Sequence, residues 1–113
     1  MYPKLSALAG PVKGESFTLA EDSFAIGRQS SNQLSLKDTA VSRRHCLITA
    51  TGEGHKLIDL ESHNSTFIND VPVKERTLEH GDRIRVGVSL FVFLTHEDEA
   101  QPALQELNLD DQT

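Results

Sequence analysis

Turn-forming residues break the first 96 positions into short runs, and none of those runs carries convincing helical periodicity. Gly10-Pro11, Gly14, Gly27, Ser30-Ser31-Asn32, Gly52-Glu53-Gly54, Asn69-Asp70, His80-Gly81-Asp82 and Gly87 are the breakers. Glycine takes positive φ at little cost, and Asn, Asp and Ser satisfy backbone groups locally. Between them lie PKLSALAG, SFTLA, SFAIG, QLSL, CLITA, KLIDL, TFIN, VPV, RIRVG and LFVFLT, several with the period-two alternation of a half-buried strand. The stretch from Thr51 to Gly54 reads as a hairpin turn, and Asn69-Asp70 as a two-residue turn between TFI and VPV. Many short strands spaced this way predict an all-β fold, a twisted sandwich of two mainly antiparallel sheets.

Charge divides the chain more sharply than its net value of -6 suggests. Residues 97–113 hold six acids and no Lys or Arg, which leaves residues 1–96 with eleven basic and eleven acidic side chains. This predicts a neutral globular domain over 1–96 and an acidic tail or linker over 97–113. Within the domain, the segment from Ser23 to Ala50 carries Arg28, Lys37, Arg43 and Arg44 against Asp38 alone. That is an isolated basic segment, not the broad Lys/Arg stripe of a nucleic-acid binder, so no direct nucleic-acid contact is expected. The single cysteine, Cys46, rules out an internal disulfide. The N-terminus lacks the basic and then apolar pattern of a signal peptide, and the longest apolar run, LFVFL, is far short of the roughly 20 residues of a membrane helix. These features predict a soluble, cytoplasmic chain without membrane contact.

The chemistry concentrates in AVSRRHCLI, residues 40–48, where polar residues crowd the mouth of a strand. A metal site fits poorly: the five histidines and Cys46 show no CxxC, HxH or HExxH spacing, and His45 and Cys46 point to opposite faces of a strand. A hydrolase pair of Ser42 and His45, oriented by Asp59, lacks a G-x-S-x-G elbow and a neighbouring glycine to free oxyanion donors. No glycine-rich nucleotide loop is present either. Capture of an anion remains. Phosphate asks for several converging N–H and O–H donors with at least one guanidinium. Arg28, turned out of the sheet by the freedom of Gly27, and Ser42 with Arg43 from a second loop supply them.

Four blocks in order carry a family resemblance: GR at 27–28, SRRH at 42–45, DLESHNSTFIND at 59–70 and LEHGDRIRVG at 78–87. Together they resemble the forkhead-associated (FHA) domain, a phosphothreonine-peptide-binding module, over residues 4 to about 95. The resemblance implies an FHA/SMAD-like sandwich of about eleven strands. It implies no enzymatic activity, no catalytic residue, no metal and no cofactor. Its partners would be a phosphothreonine-containing protein or peptide and an upstream Ser/Thr kinase, and its parent a larger bacterial signalling protein or transcription regulator. Residue by residue, Arg28, Ser42 and Arg43 would contact phosphate, and Asn64 would hold the peptide main chain. Gly27, His45, Ser65, Thr66 and Asn69 would support the site.

Three positions depart from the family pattern. Ser65 and Asp70 stand where it has glycine, so backbone strain or rearrangement is expected at Ser65. His63 stands where it often has a hydroxyl facing the phosphate; the imidazole either points to solvent or donates to the phosphate. The same fold can also serve as a phospho-independent interaction or dimerisation domain with the socket idle. The acidic tail would be a solvated linker, or would fold over the basic loops as a weak mimic of a phosphopeptide.

Overall fold

A computed structural model describes residues 2–96; the acidic stretch 97–113 and Met1 lie outside the described residues. Eleven strands form two sheets packed face to face. In chain order they are β1 (Lys4–Ala9), β2 (Ser16–Thr18), β3 (Ser23–Gly27), β4 (Leu34–Ser35), β5 (Cys46–Thr51), β6 (Gly54–Asp59), β7 (Thr66–Ile68), β8 (Val71–Val73), β9 (Glu75–Thr77), β10 (Arg83–Val86) and β11 (Ser89–Leu94). The six-stranded sheet runs β2-β1-β11-β10-β7-β8 and the five-stranded sheet β4-β3-β5-β6-β9. Every pairing is antiparallel except β3 with β4. Among the described residues no helix is long and apolar enough to cross a membrane.

Alternation along the strands builds the core. Leu5 and Ala7 of β1, Ile84 and Val86 of β10, and Phe91 and Phe93 of β11 point inward from one sheet. Phe24 and Ile26 of β3, Cys46 and Ile48 of β5, and Leu57 of β6 meet them from the other. Phe17 closes one side of this layer, its ring 6.4 Å from that of Phe24 and 6.5 Å from that of Phe91. Full burial of a side chain such as Phe91 or Ile48 contributes roughly 1.5–3 kcal/mol. The exposed Lys56–Glu75 ion pair, at 3.3 Å, belongs to a class worth about 1 kcal/mol or less. Apolar burial therefore holds the sandwich together.

Both expected hairpins form. Thr51 pairs with Gly54, leaving Gly52-Glu53 as the loop. Ile68 pairs with Val71 across Asn69 (φ 52°) and Asp70 (φ 71°), two left-handed residues in succession as a primed hairpin turn demands. The sequence reading passed over β9. Its three residues, Glu-Arg-Thr, show no apolar alternation, and they become a strand only because the edge of β6 is there to pair with. A charged, three-residue edge strand also blunts the sheet against further pairing.

Asn69 does more than turn. Its Nδ2–H donates to Asp82 Oδ1 at 2.9 Å, and its Oδ1 accepts from Arg83 N–H at 3.0 Å, fastening the β7–β8 turn to the start of β10. Asn69→Ala removes both bonds and puts at positive φ a residue that tolerates the left-handed region less well than Asn. At about 1 kcal/mol per lost bond and about 1–2 kcal/mol for the left-handed alanine, a loss of about 3–4 kcal/mol is expected. Urea denaturation of the variant reads this as a lower midpoint at unchanged slope.

Candidate functional site

Register brings the polar blocks together. Ile26, Cys46 and Asp59 are cross-strand partners in one row, at the same end of β3, β5 and β6. The ladder continues one step past the strands, with His45 N–H donating to Ile26 O at 2.9 Å and Leu60 N–H to His45 O at 2.9 Å. The loops 28–33, 36–45 and 60–65 thus leave the sheet side by side.

There a cavity of about 220 Å³ is lined by Arg28, Thr39, Ala40, Val41, Ser42, His63 and Asn64. A water occupies about 30 Å³ of liquid, so the space holds a tetrahedral anion with room for attached chain. No carboxylate lines it. Arg28 is exposed but pre-aimed: its Nε–H donates to Val41 O at 3.0 Å, and its main-chain N–H to Ser42 O at 2.9 Å. The terminal guanidinium nitrogens are left for a ligand. Ser42 Oγ accepts from His63 N–H at 2.9 Å. A hydroxyl that accepts one bond still has its own proton to donate. Asn64 donates from Nδ2 to Ala40 O at 2.9 Å, which leaves its Oδ1 and its second amide proton for an extended chain.

His45 lies beneath this surface with no solvent exposure. Its Nδ1 accepts from Ser42 N–H at 3.1 Å, so its Nε2 carries the proton donated to Ser65 O at 2.9 Å. The imidazole faces the main chain of Ser42, and Ser42 Oγ is bonded elsewhere, so the pair is not disposed as nucleophile and base. Asp59 does not orient this ring either. Its Oδ1 accepts from Ser62 Oγ at 2.5 Å and from buried Thr66 Oγ1 at 2.7 Å, and its Oδ2 from Ser62 N–H at 3.1 Å. The carboxylate thereby shapes the 60–65 loop from inside. That loop keeps Ser65 at φ 69°, the left-handed conformation expected of a glycine there, and the Ser65 carbonyl in that geometry is the one His45 binds.

Other expected residues take different places. Gly27 does not use positive φ to turn Arg28 outward. A Cβ on it would collide with the carbonyl oxygen of Arg43 and lie 2.8 Å from Asn32 Nδ2, so the requirement is close approach of two loops. Arg43 is exposed and outside the cavity lining; its carbonyl accepts from Gln29 N–H at 3.2 Å and Asn32 Nδ2 at 3.0 Å. Asn69 sits at the opposite end of β7, one strand away from the cavity. Sequence reasoning missed Thr39, Ala40 and Val41 as lining, for which adjacency to Ser42 was the only signal. It also missed Asp38, whose carboxylate accepts from Ala40 N–H and Val88 N–H, both at 2.9 Å, pinning the 36–45 loop to the turn after β10.

Burial pushes the Cys46 thiol up to about 12, and no group of three or more potential ligands gathers among the described residues.

Two carboxylates tie the loops to pH. Asp38 is held below the usual carboxylate range by the Val88 and Ala40 amides. For Asp59 burial pushes upward, and the Ser62 and Thr66 bonds outweigh it, leaving the group lowered. A lowered folded pKa gives stability that is complete above the unfolded value of about 3.9 and is lost as pH falls through the folded value. The urea midpoint of the protein is therefore expected to fall below about pH 4. Asp59→Asn should be less stable at neutral pH and show a flatter decline in that acidic range.

Residues 6–97 match a family described as the inner-membrane component of T3SS, cytoplasmic domain (Yop-YscD_cpl). The oxoglutarate dehydrogenase inhibitor of Corynebacterium jeikeium is 35% identical over 91 residues, which are 80% of this chain and 63% of that protein. FhaA of Mycobacterium tuberculosis, an FHA domain-containing protein, is 43% identical over 83 residues, 74% of this chain and 16% of its own length. The chain thus spans less than two thirds of either curated relative. A structure solved for phosphothreonine-dependent FHA domain interactions superposes with a TM-score of 0.77 at 39% identity, covering 86% of this chain and 99% of that one.

Proposed function

Since the chain belongs to the forkhead-associated domains, and to the family of T3SS cytoplasmic domains that matches residues 6–97, we propose that its cavity reads phosphothreonine in an extended segment of a partner protein. The observation that carries this is convergence: Arg28, Ser42, His63 and Asn64, from three loops, line one cavity without a carboxylate. Arg28 supplies the charge-assisted fork to the phosphate. Ser42 donates its remaining hydroxyl proton. Asn64 bonds the peptide main chain, and Arg43 adds charge from the rim. Gly27, His45, Ser65 and Thr66 hold these loops in place.

In this reading the domain, residues 1–96, is a non-catalytic, cytoplasmic reader. A Ser/Thr kinase writes its ligand, and the parent is a larger bacterial signalling or transcription-regulating protein. The relatives are an inhibitor and an FHA domain-containing protein, which fits binding in place of turnover. A solved structure of FhaA carries its FHA domain complexed with an intracellular domain of another protein, which fits a protein partner.

Calorimetric titration with a degenerate phosphothreonine peptide pool and its unphosphorylated twin tests the proposal. Binding should require the phosphate. Arg28→Ala should weaken it about tenfold to a hundredfold, since one charge-assisted hydrogen bond is worth roughly 1.5–3 kcal/mol. The fold should be unaffected, because Arg28 is exposed. Equal binding of both pools would instead indicate a phospho-independent interaction domain.

His63 offers the site a further donor. It shares the cavity with Arg28, and its main chain already binds Ser42. His63→Ala should weaken phosphopeptide binding modestly and leave the fold intact, since the side chain is exposed; an unchanged affinity in the same titration would assign the imidazole to solvent.

A further inference from the structure

The outer face of the six-stranded sheet departs from the usual alternation. An antiparallel sheet packed on one side normally alternates apolar-in and polar-out. The five-stranded sheet does so in part: Thr49 and the Lys56–Glu75 ion pair lie outside beside a single half-exposed row of Ala25, Leu47 and Ile58. Strand β11 does not. Phe91 and Phe93 fill the core, while Leu90, Val92 and Leu94 point the other way and remain half-exposed. Phe67 of β7 extends this band across β10, and Leu8, 37% exposed at the β1 bulge, borders it on the other side. A contiguous apolar band rimmed by charge marks an interaction surface.

The strands at the rim are basic, and the adjoining turn adds an acid, Asp70, whose exposed carboxylate lies 4.0 Å from Arg85. The six strands contain three charged residues, Lys4, Arg83 and Arg85, and all are basic. Arg83 and Arg85 alternate outward from β10, and a cavity of about 200 Å³ between them, Leu90 and the Asn69-Asp70 turn opens onto the face. The chain that leaves β11 has the complementary composition. Residues 97–113 hold six acids, no Lys or Arg, and the apolar residues Ala103, Leu104, Leu107 and Leu109. The strand that leads toward them, β11, has Lys4 and Arg83 beside its last residues, paired with Leu94 and Val92.

We propose that the outer face of the six-stranded sheet is the docking surface for residues 97–113 of the same chain, with Leu104 and Leu107 on the apolar band and the acids against Lys4, Arg83 and Arg85. Reach is sufficient: the eight residues from 97 to 104 span up to about 26 Å, and a six-residue strand is about 20 Å long. Intramolecular attachment means that modest contacts suffice, since the tail is held at a high effective concentration. This surface is separate from the phosphate cavity and does not rest on its function. The docked tail would set how whatever follows position 113 in a longer chain is held against the domain.

The test uses the full 113-residue protein with a nitroxide on Gln105→Cys; Cys46 is fully buried and stays unlabelled. Docking predicts selective loss of the amide NMR signals of Arg85, Leu90 and Val92, with those of the five-stranded sheet retained. Leu104→Ser/Leu107→Ser should restore the signals, as should about 1 M salt, where charges are screened within about 3 Å. Arg83→Glu/Arg85→Glu, at outward positions that leave the core intact, should restore them as well. Signal loss around Arg28 and Ser42 would place the tail over the phosphate cavity and overturn the proposal. Loss in a mixture of labelled unenriched protein with unlabelled isotope-enriched protein would assign the face to a second copy. Absence of any selective loss would also overturn it.

Discussion

One buried imidazole organises the ligand-facing end of this molecule. His45 accepts a hydrogen bond from Ser42 N–H and donates one to Ser65 O, which joins two loops that are distant in sequence. Both ring nitrogens are satisfied, so its complete burial carries no unpaired polar group, whereas a lost partner there would cost about 1–3 kcal/mol. Val41 O holds Arg28 Nε, the His63 amide holds Ser42 Oγ and Ala40 O holds Asn64 Nδ2, which leaves the Arg28 fork, the Ser42 proton and half of the Asn64 amide for the surface. Binding groups positioned beforehand lose less freedom when a ligand arrives.

The acidic net charge does not oppose an anion site, because no carboxylate lines the cavity and two of the carboxylates at its loops are engaged. Asp38 and Asp59 accept two and three hydrogen bonds respectively and face into the loops they shape. They act as internal braces, and the cavity is lined by Arg28 and His63 with no acid among its walls. The remaining excess of negative charge resides in residues 97–113. Local placement, screened over about 8–10 Å at ordinary salt, decides what a cavity attracts, and the sum over the chain does not.

The sandwich separates two kinds of surface. Its loop end carries converging polar groups on a rigid frame, as binding sites commonly do. The face of its larger sheet carries an apolar band with basic edges. The two are independent in structure, since one is set by strand ends and the other by the outward half of β11. A chain can therefore hold a ligand at one and its own continuation, or a partner, at the other.

Much of this was legible in the sequence, and the reason is locality. Strand alternation and turn chemistry are short-range, so ten of the eleven strands and the Asn69-Asp70 turn could be read from neighbouring residues, whereas the positive φ at Ser65 was implied by the family resemblance. The ordered blocks also pointed to Arg28, Ser42, His63 and Asn64, which the fold gathers at one cavity. What the sequence could not decide depended on contacts between distant loops. Ser42 lines the cavity while Arg43 beside it does not, because the Arg43 carbonyl is spent on Gln29 and Asn32. Gly27 is needed for the approach of that carbonyl and not for its own dihedral freedom. Strand β9 exists because β6 offers an edge, and Asp38 matters because the turn after β10 comes within hydrogen-bond reach. Each of these is a property of register and packing, which set distances between residues that the chain itself keeps far apart.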